Sequence, residues 1–134
     1  MPKQSTRKSR CMRKLLIVDD EEGVRSLVRM TLESDYYEIL EATRAAEAID
    51  LVKKHHPDLV LLDVMLPDSS GIEVCRALKA DPSTADVTIV MLTAKAQSAD
   101  LEEAEDAGAD GYFTKPFSPV ALLRRVDKIF RRDE

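Results

Sequence analysis

The feature that most limits the possible folds of this chain is an alternation between short apolar runs and segments with helical periodicity. Residues 15–18 (Leu-Leu-Ile-Val) and 59–62 (Leu-Val-Leu-Leu) are continuous apolar runs, and each is followed by an aspartate. Runs of this length are typical of strands that are buried on both faces, as in a parallel sheet. Between them, Val24, Val28 and Leu32 recur at helical spacing. The sequence therefore predicts strands that alternate with helices.

The same alternation continues to the end of the chain and predicts five strands, each followed by a helix. The predicted strands are residues 15–18, 37–42, 59–62, 87–92 and 112–114. After the helix that contains Val24 to Leu32, the predicted helices are residues 45–55, 71–80, 98–107 and 119–131. Strands joined by helices imply a parallel sheet with helices on both faces, so we expect one α/β domain with three α-β-α layers.

The charge of the chain separates its N-terminus from the rest. Residues 1–14 contain no acidic residue, and their basic residues are Lys3, Arg7, Lys8, Arg10, Arg13 and Lys14. The net charge of the whole chain is nonetheless -5, so the remainder is strongly acidic. We expect residues 1–13 to be a flexible basic tail, either a solvated terminus or an arm for nucleic acid or membrane. Residues 14–134 then form the domain, for which we expect no direct DNA binding.

Cysteine content and hydropathy indicate the compartment. The two cysteines, Cys11 and Cys75, show no paired spacing, which argues against a disulfide scaffold. The apolar runs are too short to cross a bilayer, and no secretory signal follows the basic N-terminus. We therefore expect a cytoplasmic protein without membrane insertion.

Polar residues that can bind ligands or react follow four of the predicted strands. They are Asp19, Asp20, Asp63, Thr93 and Lys115. In an open α/β sheet, the carboxyl ends of the strands form the ligand crevice where the strand order reverses. Taken singly, each residue is more simply a turn, a helix cap or a surface side chain. Their joint placement predicts a site.

The residue types in this set favour phosphoryl chemistry. Clustered carboxylates repel one another unless a cation neutralises them, and hard oxygen ligands suit Mg²⁺ and also Mn²⁺. A lysine and a threonine hydroxyl can bind phosphoryl oxygens. An aspartate can itself be the nucleophile, which gives an aspartyl phosphate. The set therefore predicts phosphoryl transfer assisted by a metal ion.

Four stretches of the sequence resemble the receiver domain of bacterial two-component response regulators, in particular the single-domain chemotaxis type. They are residues 16–21 (Leu-Ile-Val-Asp-Asp-Glu), 63–67 with Gly71, 92–94 (Leu-Thr-Ala) and 111–117. The resemblance covers about residues 14–132. It implies the flavodoxin-like receiver fold with strand order 2-1-3-4-5, and a signalling domain that assists its own phosphorylation and dephosphorylation instead of an ordinary enzyme.

The resemblance also implies a role for each residue of the acidic cluster. Asp63 matches the phosphoacceptor. Asp20 matches the direct Mg²⁺ ligand, and Asp19 either binds the ion through water or assists. The backbone carbonyl of Met65 matches a further ligand of the metal ion.

Three other residues match the switch of the family. Lys115 matches the lysine that pairs with the phosphoryl group, Thr93 the hydroxyl that moves to bind it, and Tyr112 the aromatic residue that then turns inward. This motion is expected to change the face formed by the fourth helix, fifth strand and fifth helix. The implied phosphodonor is a phosphohistidine on a histidine kinase or histidine phosphotransfer protein, and the implied output is a protein target that binds this face.

The charges of that face leave its use open. The fourth predicted helix is acidic and the fifth is basic, so they could pair within one molecule or across a phosphorylation-dependent homodimer. The acidic residues are Asp100, Glu102, Glu103, Glu105 and Asp106, and the basic ones are Arg124, Arg125, Lys128, Arg131 and Arg132. Many receivers that dimerise there carry Glu where this chain has Ala121. That difference weighs against a dimer.

Other functions fit the sequence less well. A dinucleotide-binding domain would need a glycine-rich loop where residues 19–22 (Asp-Asp-Glu-Glu) stand. A phosphatase with an aspartate nucleophile usually has a second acid at the position of Met65. An interaction module that acts without phosphorylation is the strongest rival, and a relay that only passes the phosphoryl group on also stays open.

Overall fold

A computed structural model describes residues 12–34, 36–94 and 98–131. Its strands are β1 (Arg13–Val18), β2 (Tyr37–Ala42), β3 (Leu59–Asp63), β4 (Thr88–Thr93) and β5 (Gly111–Thr114). Its helices are α1 (Glu22–Leu32), α2 (Ala45–His55), α3 (Gly71–Ala80), α4 (Ser98–Asp106) and α5 (Pro119–Arg131). The predicted alternation is confirmed, with boundaries that differ by no more than two residues. Residues 1–11 of the predicted tail lie outside the described residues, and β1 begins at Arg13.

The five strands form one parallel sheet in the order β2-β1-β3-β4-β5. This is the order that the receiver resemblance implied. The chain leaves β1 for the edge strand β2 and returns to β3 on the other side of β1, so the strand order reverses between β1 and β3. A crevice opens at the carboxyl ends of these two strands, which is where open α/β sheets bind ligands.

The register of the sheet aligns the ends of the strands. Val18 pairs with Leu62, Asp63 with Leu92 and Thr93 with Thr114. Because the strands are parallel and end together, the residues that follow them meet at one edge. The sheet therefore places the polar residues predicted from sequence beside the crevice.

Two apolar layers hold the helices on the sheet. Leu16 and Val18 of β1 face the layer that packs against α2, α3 and α4, whereas Leu15 and Ile17 face the layer that packs against α1 and α5. All four side chains are fully buried, because β1 lies inside the sheet and is covered on both faces. This explains why the run is continuously apolar instead of alternating with polar residues.

The helix α4 is held by small side chains. Ala104 of α4 and Ala107, just after it, are buried, whereas Leu101 is only partly buried. The region ends at Gly108, whose φ of +98° is a conformation that glycine adopts most readily. Since methyl groups bury little apolar surface, α4 is anchored less strongly than α5, where Leu122, Val126 and Phe130 are buried. No helix among the described residues is long and apolar enough to span a membrane.

Candidate functional site

The carboxylates of Asp19, Asp20 and Asp63 meet at the carboxyl edge of the sheet. An oxygen of each lies within 4.8 Å of the other two. Asp19 is fully buried and Asp63 is 6% exposed, whereas Asp20 is exposed to solvent. The cluster predicted from sequence is therefore formed, with one carboxylate on the solvent side and two that are buried.

Backbone contacts fix the position of Asp19. Its amide donates to the carbonyl of Ala42 at 3.0 Å, which continues the β1–β2 pairing past the end of the strand. Its carboxylate accepts the amide of Glu21 at 2.9 Å. Its carbonyl accepts the guanidinium Nη1 of Arg25 at 2.9 Å. The buried carboxylate is thus oriented before any ligand arrives.

Lys115 reaches from the end of β5 into the acidic cluster. Its ammonium lies 2.9 Å from Asp19 Oδ2, 3.1 Å from Glu21 Oε1 and 3.6 Å from Asp63 Oδ2. Its backbone amide donates to the carbonyl of Thr93 at 2.7 Å, and the peptide bond to Pro116 is cis. A single ammonium offsets part of the negative charge of the cluster.

Glu21 was given no role from sequence, although it stands in the motif of residues 16–21. Its contact with Lys115 depends on how the β1–α1 loop folds across the crevice. The loop is short, so a carboxylate two residues after Asp19 stays near the same cation. Sequence reasoning also assigns no role to Arg25, whose guanidinium binds the carbonyl of Asp19, six residues earlier.

The environment of Asp63 changes its ionisation. Burial and the nearby negative charge of Asp19 raise the pKa of Asp63 to about 6, even though Lys115 and the amide of Met65 act in the opposite direction. Burial lowers the pKa of Lys115, but hydrogen bonds to Asp19 and Glu21 outweigh it, so the pKa of Lys115 is raised. Lys115 is therefore charged at neutral pH, and Asp63 is held in a site that disfavours its charged form.

The loop after β3 packs directly against the backbone of Asp63. The amide of Gly71 donates to the carbonyl of Val64 at 2.7 Å, and the amide of Met65 donates to Asp63 Oδ1 at 3.4 Å. A Cβ atom at Gly71 would lie 1.9 Å from the carbonyl oxygen of Asp63. Only glycine permits this approach. The side chain of Met65 is 78% exposed, and its carbonyl belongs to the loop beside Asp63.

Thr93 and Tyr112 lie on the adjacent strands β4 and β5. Thr93 is buried at the end of β4, next to the crevice. Tyr112 is 46% exposed on the edge strand β5, and its carbonyl accepts Nη1 of Arg125 at 3.0 Å. The guanidinium of Arg125 also lies 5.0 Å from the centre of the Phe113 ring. The ring of Tyr112 is thus outside the core in this structure.

The acidic and basic helices do not pair in the described part of the molecule. Among the side chains that the structure describes, no ion pair joins α4 to α5. The side chains of Asp100 and Arg132 lie outside that set. The acidic side chains of α4 that the structure describes are all exposed; they are Glu102, Glu103, Glu105 and Asp106. Pairing within one molecule, one of the two alternatives that these charges leave open, is therefore not seen among these residues.

The donor set fits a divalent cation. Asp19, Asp20 and Asp63 offer only hard oxygen atoms, which suit Mg²⁺, Ca²⁺ or Mn²⁺ better than softer metals. One ammonium does not neutralise the carboxylates, so a divalent cation would relieve their repulsion. Exposure of Asp20 leaves the cluster open to solvent on one side, as a cation that keeps bound water requires.

Comparisons with known proteins show the family to which this fold belongs. Residues 15–127 match the family described as "Response regulator receiver domain". The chain is 46% identical over 118 residues to the phosphate regulon transcriptional regulatory protein PhoB of Pseudomonas aeruginosa. This match covers 88% of this chain and 52% of that protein. It is 44% identical over 119 residues to the transcriptional regulatory protein ResD of Bacillus subtilis, covering 89% of this chain and 48% of that protein.

A solved structure gives the same result at the level of the fold. The chemotaxis response regulator CheY4 of Vibrio cholerae superposes with a TM-score of 0.83 at 31% identity, and the match covers 88% of this chain and 98% of that one.

The fold and the acidic crevice define a phosphoacceptor signalling domain of two-component systems, not a classical enzyme. The chain belongs to the response regulator receiver domain family. It spans about half the length of the curated relatives that it matches.

Proposed function

We propose that this protein is a receiver in a two-component phosphorelay, in which Asp63 accepts a phosphoryl group in a reaction that depends on Mg²⁺. The observation that carries the proposal is the crevice itself. The side chain of Asp63 lies beside the carboxylates of Asp19 and Asp20, and its Oδ2 is 3.6 Å from the ammonium of Lys115. This cluster lies at the carboxyl edge of the sheet, where the strand order reverses. No glycine-rich loop lies among the described residues of that edge, where residues 19–22 are Asp-Asp-Glu-Glu.

The chemistry requires little more than position and charge. A carboxylate oxygen of Asp63 forms a bond to phosphorus while the bond from phosphorus to the donor nitrogen breaks, and the electron pair of that bond stays on the donor imidazole. Asp63 must be ionised to attack, and at neutral pH it is, because its pKa is about 6. The ammonium of Lys115 is close enough to Asp63 to pair with a phosphoryl group there. The new negative charge would draw this ammonium away from Asp19.

Asp19, Asp20 and Asp63 would hold the cation, together with the backbone carbonyl of Met65. When bound, Mg²⁺ supplies positive charge that offsets the carboxylates and the incoming phosphoryl oxygens. The support for this assignment is the oxygen-only donor set and its opening to solvent at Asp20. The same donors accept Mn²⁺.

We propose further that Thr93 and Tyr112 convert the covalent change into a change of shape. The phosphoryl group adds about -1.5 to -2 of charge next to Thr93, whose hydroxyl can bind the new oxygens. Tyr112, now half exposed, would occupy the space that Thr93 leaves. The weak anchoring of α4 by alanines supports a movement there.

The face formed by α4, β5 and α5, here named the output face, is proposed to bind the downstream protein. Its exposed apolar side chains are Tyr112, Val120 and Leu123. Family membership supports a phosphohistidine of a histidine kinase or phosphotransfer protein as the donor, and the cytoplasm as the place of action. Because α4 and α5 do not pair in the described residues, their opposite charges are available for a target or for a phosphorylation-dependent homodimer.

The proposal is tested by intact mass after incubation with a small-molecule phosphodonor. The wild-type protein and Asp63→Asn are compared with Mg²⁺ and with EDTA, and Asp50→Asn serves as a control that removes one exposed carboxylate elsewhere. We expect one added phosphoryl group in the wild type and the control, only when Mg²⁺ is present, and none in Asp63→Asn.

Two results would contradict the proposal. An adduct that persists in Asp63→Asn would place the acceptor elsewhere. An absence of adduct in the wild type under rapid quenching, with Mg²⁺ bound, would favour an interaction module that acts without phosphorylation.

A further inference from the structure

The first turn of α2 is capped by a side chain from a distant loop. Asp68 Oδ1 accepts the amide of Ala45 at 2.7 Å, and Asp68 Oδ2 accepts the amide of Ala46 at 3.2 Å. The residue at the N-cap position itself, Arg44, makes no capping hydrogen bond with its side chain. Asp68 therefore supplies the acceptors that the start of α2 lacks locally.

Asp68 belongs to the loop that links the phosphoacceptor strand to α3. The base of this loop is closed by the bond from Gly71 to the carbonyl of Val64 and by an antiparallel bridge between Met65 and Ser70. Further out, the amide of Leu66 donates to the carbonyl of Ser69 at 3.2 Å, so Asp68 lies at the tip of a small closed turn. Its carboxylate joins the tip of this turn to α2.

Electrostatics favours the contact between the carboxylate of Asp68 and the start of α2. Both carboxylate oxygens accept backbone amides at a helix N-terminus, where the helix dipole favours negative charge. These amides also hold the pKa of Asp68 below its usual value, so the side chain stays charged at neutral pH. Asp68 does not belong to the carboxylate cluster of the crevice, so it is not itself a candidate ligand.

We propose that Asp68 is a positioning residue for the cation site: its bonds to α2 hold the β3–α3 loop, and with it the backbone carbonyl of Met65, beside Asp63 before the cation binds. The inference rests on the proposed function, because it takes the Met65 carbonyl to be a ligand. Outer contacts that orient ligands in this way raise metal affinity, since the bound arrangement then needs less ordering.

The experiment measures Mg²⁺ binding to the unphosphorylated full chain by titration calorimetry. Asp68→Ala removes both acceptors, whereas Asp68→Asn removes the charge but keeps one good capping oxygen. Asp50→Ala is the matched control, because it removes the same charge from an exposed position on α2 itself. We expect the dissociation constant to rise by about tenfold in Asp68→Ala, by clearly less in Asp68→Asn, and not at all in Asp50→Ala.

Comparison of the two Asp68 variants separates positioning from charge. Equal weakening in both would show that only the negative charge of Asp68 matters and would overturn the proposal. Unchanged affinity in Asp68→Ala would also overturn it, provided that hydrogen exchange shows the amides of Ala45 and Ala46 to have lost protection. Far-UV circular dichroism checks that each variant is folded, and Asp68→Asn keeps the test decisive should Asp68→Ala unfold.

Failure of the proposed function gives a different result. Mg²⁺ binding does not require phosphoryl transfer, so a wild-type protein that binds Mg²⁺ but takes up no phosphoryl group would refute the function and leave the role of Asp68 testable as described. A wild-type protein that binds no Mg²⁺ would overturn the role of Asp68.

Discussion

At the scale of single residues, Asp63 is held in a site that makes its charge unfavourable. It is buried next to Asp19, and the ammonium of Lys115 is 3.6 Å away and shared with two other carboxylates. The pKa of Asp63 rises to about 6 as a result. A carboxylate in such a site binds a cation readily, because the cation removes the repulsion that the fold imposes.

A pH dependence of stability follows from this raised pKa. The folded protein binds a proton at Asp63 more tightly than the unfolded chain, so stability from this group is present below about pH 4 and is lost as the pH rises through about 6. Asp63→Asn removes the unfavourable charge. We expect the variant to gain about 1–2 kcal/mol relative to wild type at pH 7.5, and about a third of that at pH 4.5, when measured by urea unfolding in EDTA.

The exposed residue Asp50 provides the control for this measurement. Asp50→Asn should change the free energy of unfolding by less than about 0.5 kcal/mol at either pH. A gain from Asp63→Asn that is equal at both values would show that the carboxylate of Asp63 is not destabilised by its surroundings.

At the scale of the elements, the junction of β3 and α3 depends on one close contact. α3 begins at Gly71, where a Cβ atom would lie 1.9 Å from the carbonyl oxygen of Asp63 and 2.9 Å from its carbonyl carbon. Ser70 caps the helix by accepting the amide of Ile72 at 3.1 Å. The start of α3 and the backbone of Asp63 therefore occupy positions that cannot be changed independently.

Gly71→Ala should be strongly destabilising for this reason. Backbone atoms cannot yield as a flexible side chain can, so we expect a loss of at least about 2 kcal/mol in the free energy of unfolding, together with slower phosphorylation of Asp63. Thermal unfolding and the mass assay measure the two effects.

Gly23→Ala is the matched substitution within α1. No atom lies within 4 Å of the position that a Cβ would take there. Alanine favours a helix more than glycine does, so this variant should gain up to about 1 kcal/mol. Similar losses from both substitutions would contradict the argument from close contact.

At the scale of the whole molecule, the binding of a cation at the proposed site would be linked to folding. The carboxylates come from the ends of β1 and β3, which are neighbours only in the folded sheet. A cation that binds this arrangement and not the unfolded chain stabilises the fold by mass action, by about 2.7 kcal/mol at a concentration one hundred times its dissociation constant.

Asp20→Asn should separate this linkage from the stability of the fold. Asp20 is exposed and outside the core, so the variant in EDTA should unfold at the temperature of the wild type or slightly above it, since one repelling charge is gone. Saturating Mg²⁺ should raise the unfolding temperature of the wild type and have much less effect on Asp20→Asn. Differential scanning calorimetry provides the measurement, and an equal increase in both proteins would remove Asp20 from the ligand set.

Much of this architecture could be read from the sequence. Apolar runs ending in Asp19 and Asp63 predict buried parallel strands, because only a strand covered on both faces needs apolar side chains in succession. Parallel strands that end together must bring the residues after them to one edge, so the acidic cluster was also predictable. The strand order came from the family resemblance, since helical connections alone permit several orders.

Contacts between distant segments were decided by the tertiary structure. The bonds of Lys115 to Glu21 and of Asp68 to the start of α2 join parts of the chain whose separation carries no periodic signal. The opposite charges of α4 and α5 left pairing within one molecule open, and no such ion pair occurs among the described side chains, because complementary charge does not determine which surfaces face each other. The sequence by itself determined which residues reach the crevice, because strand geometry is local and repetitive. Only the packed structure determined their partners, because distance and burial depend on the whole fold.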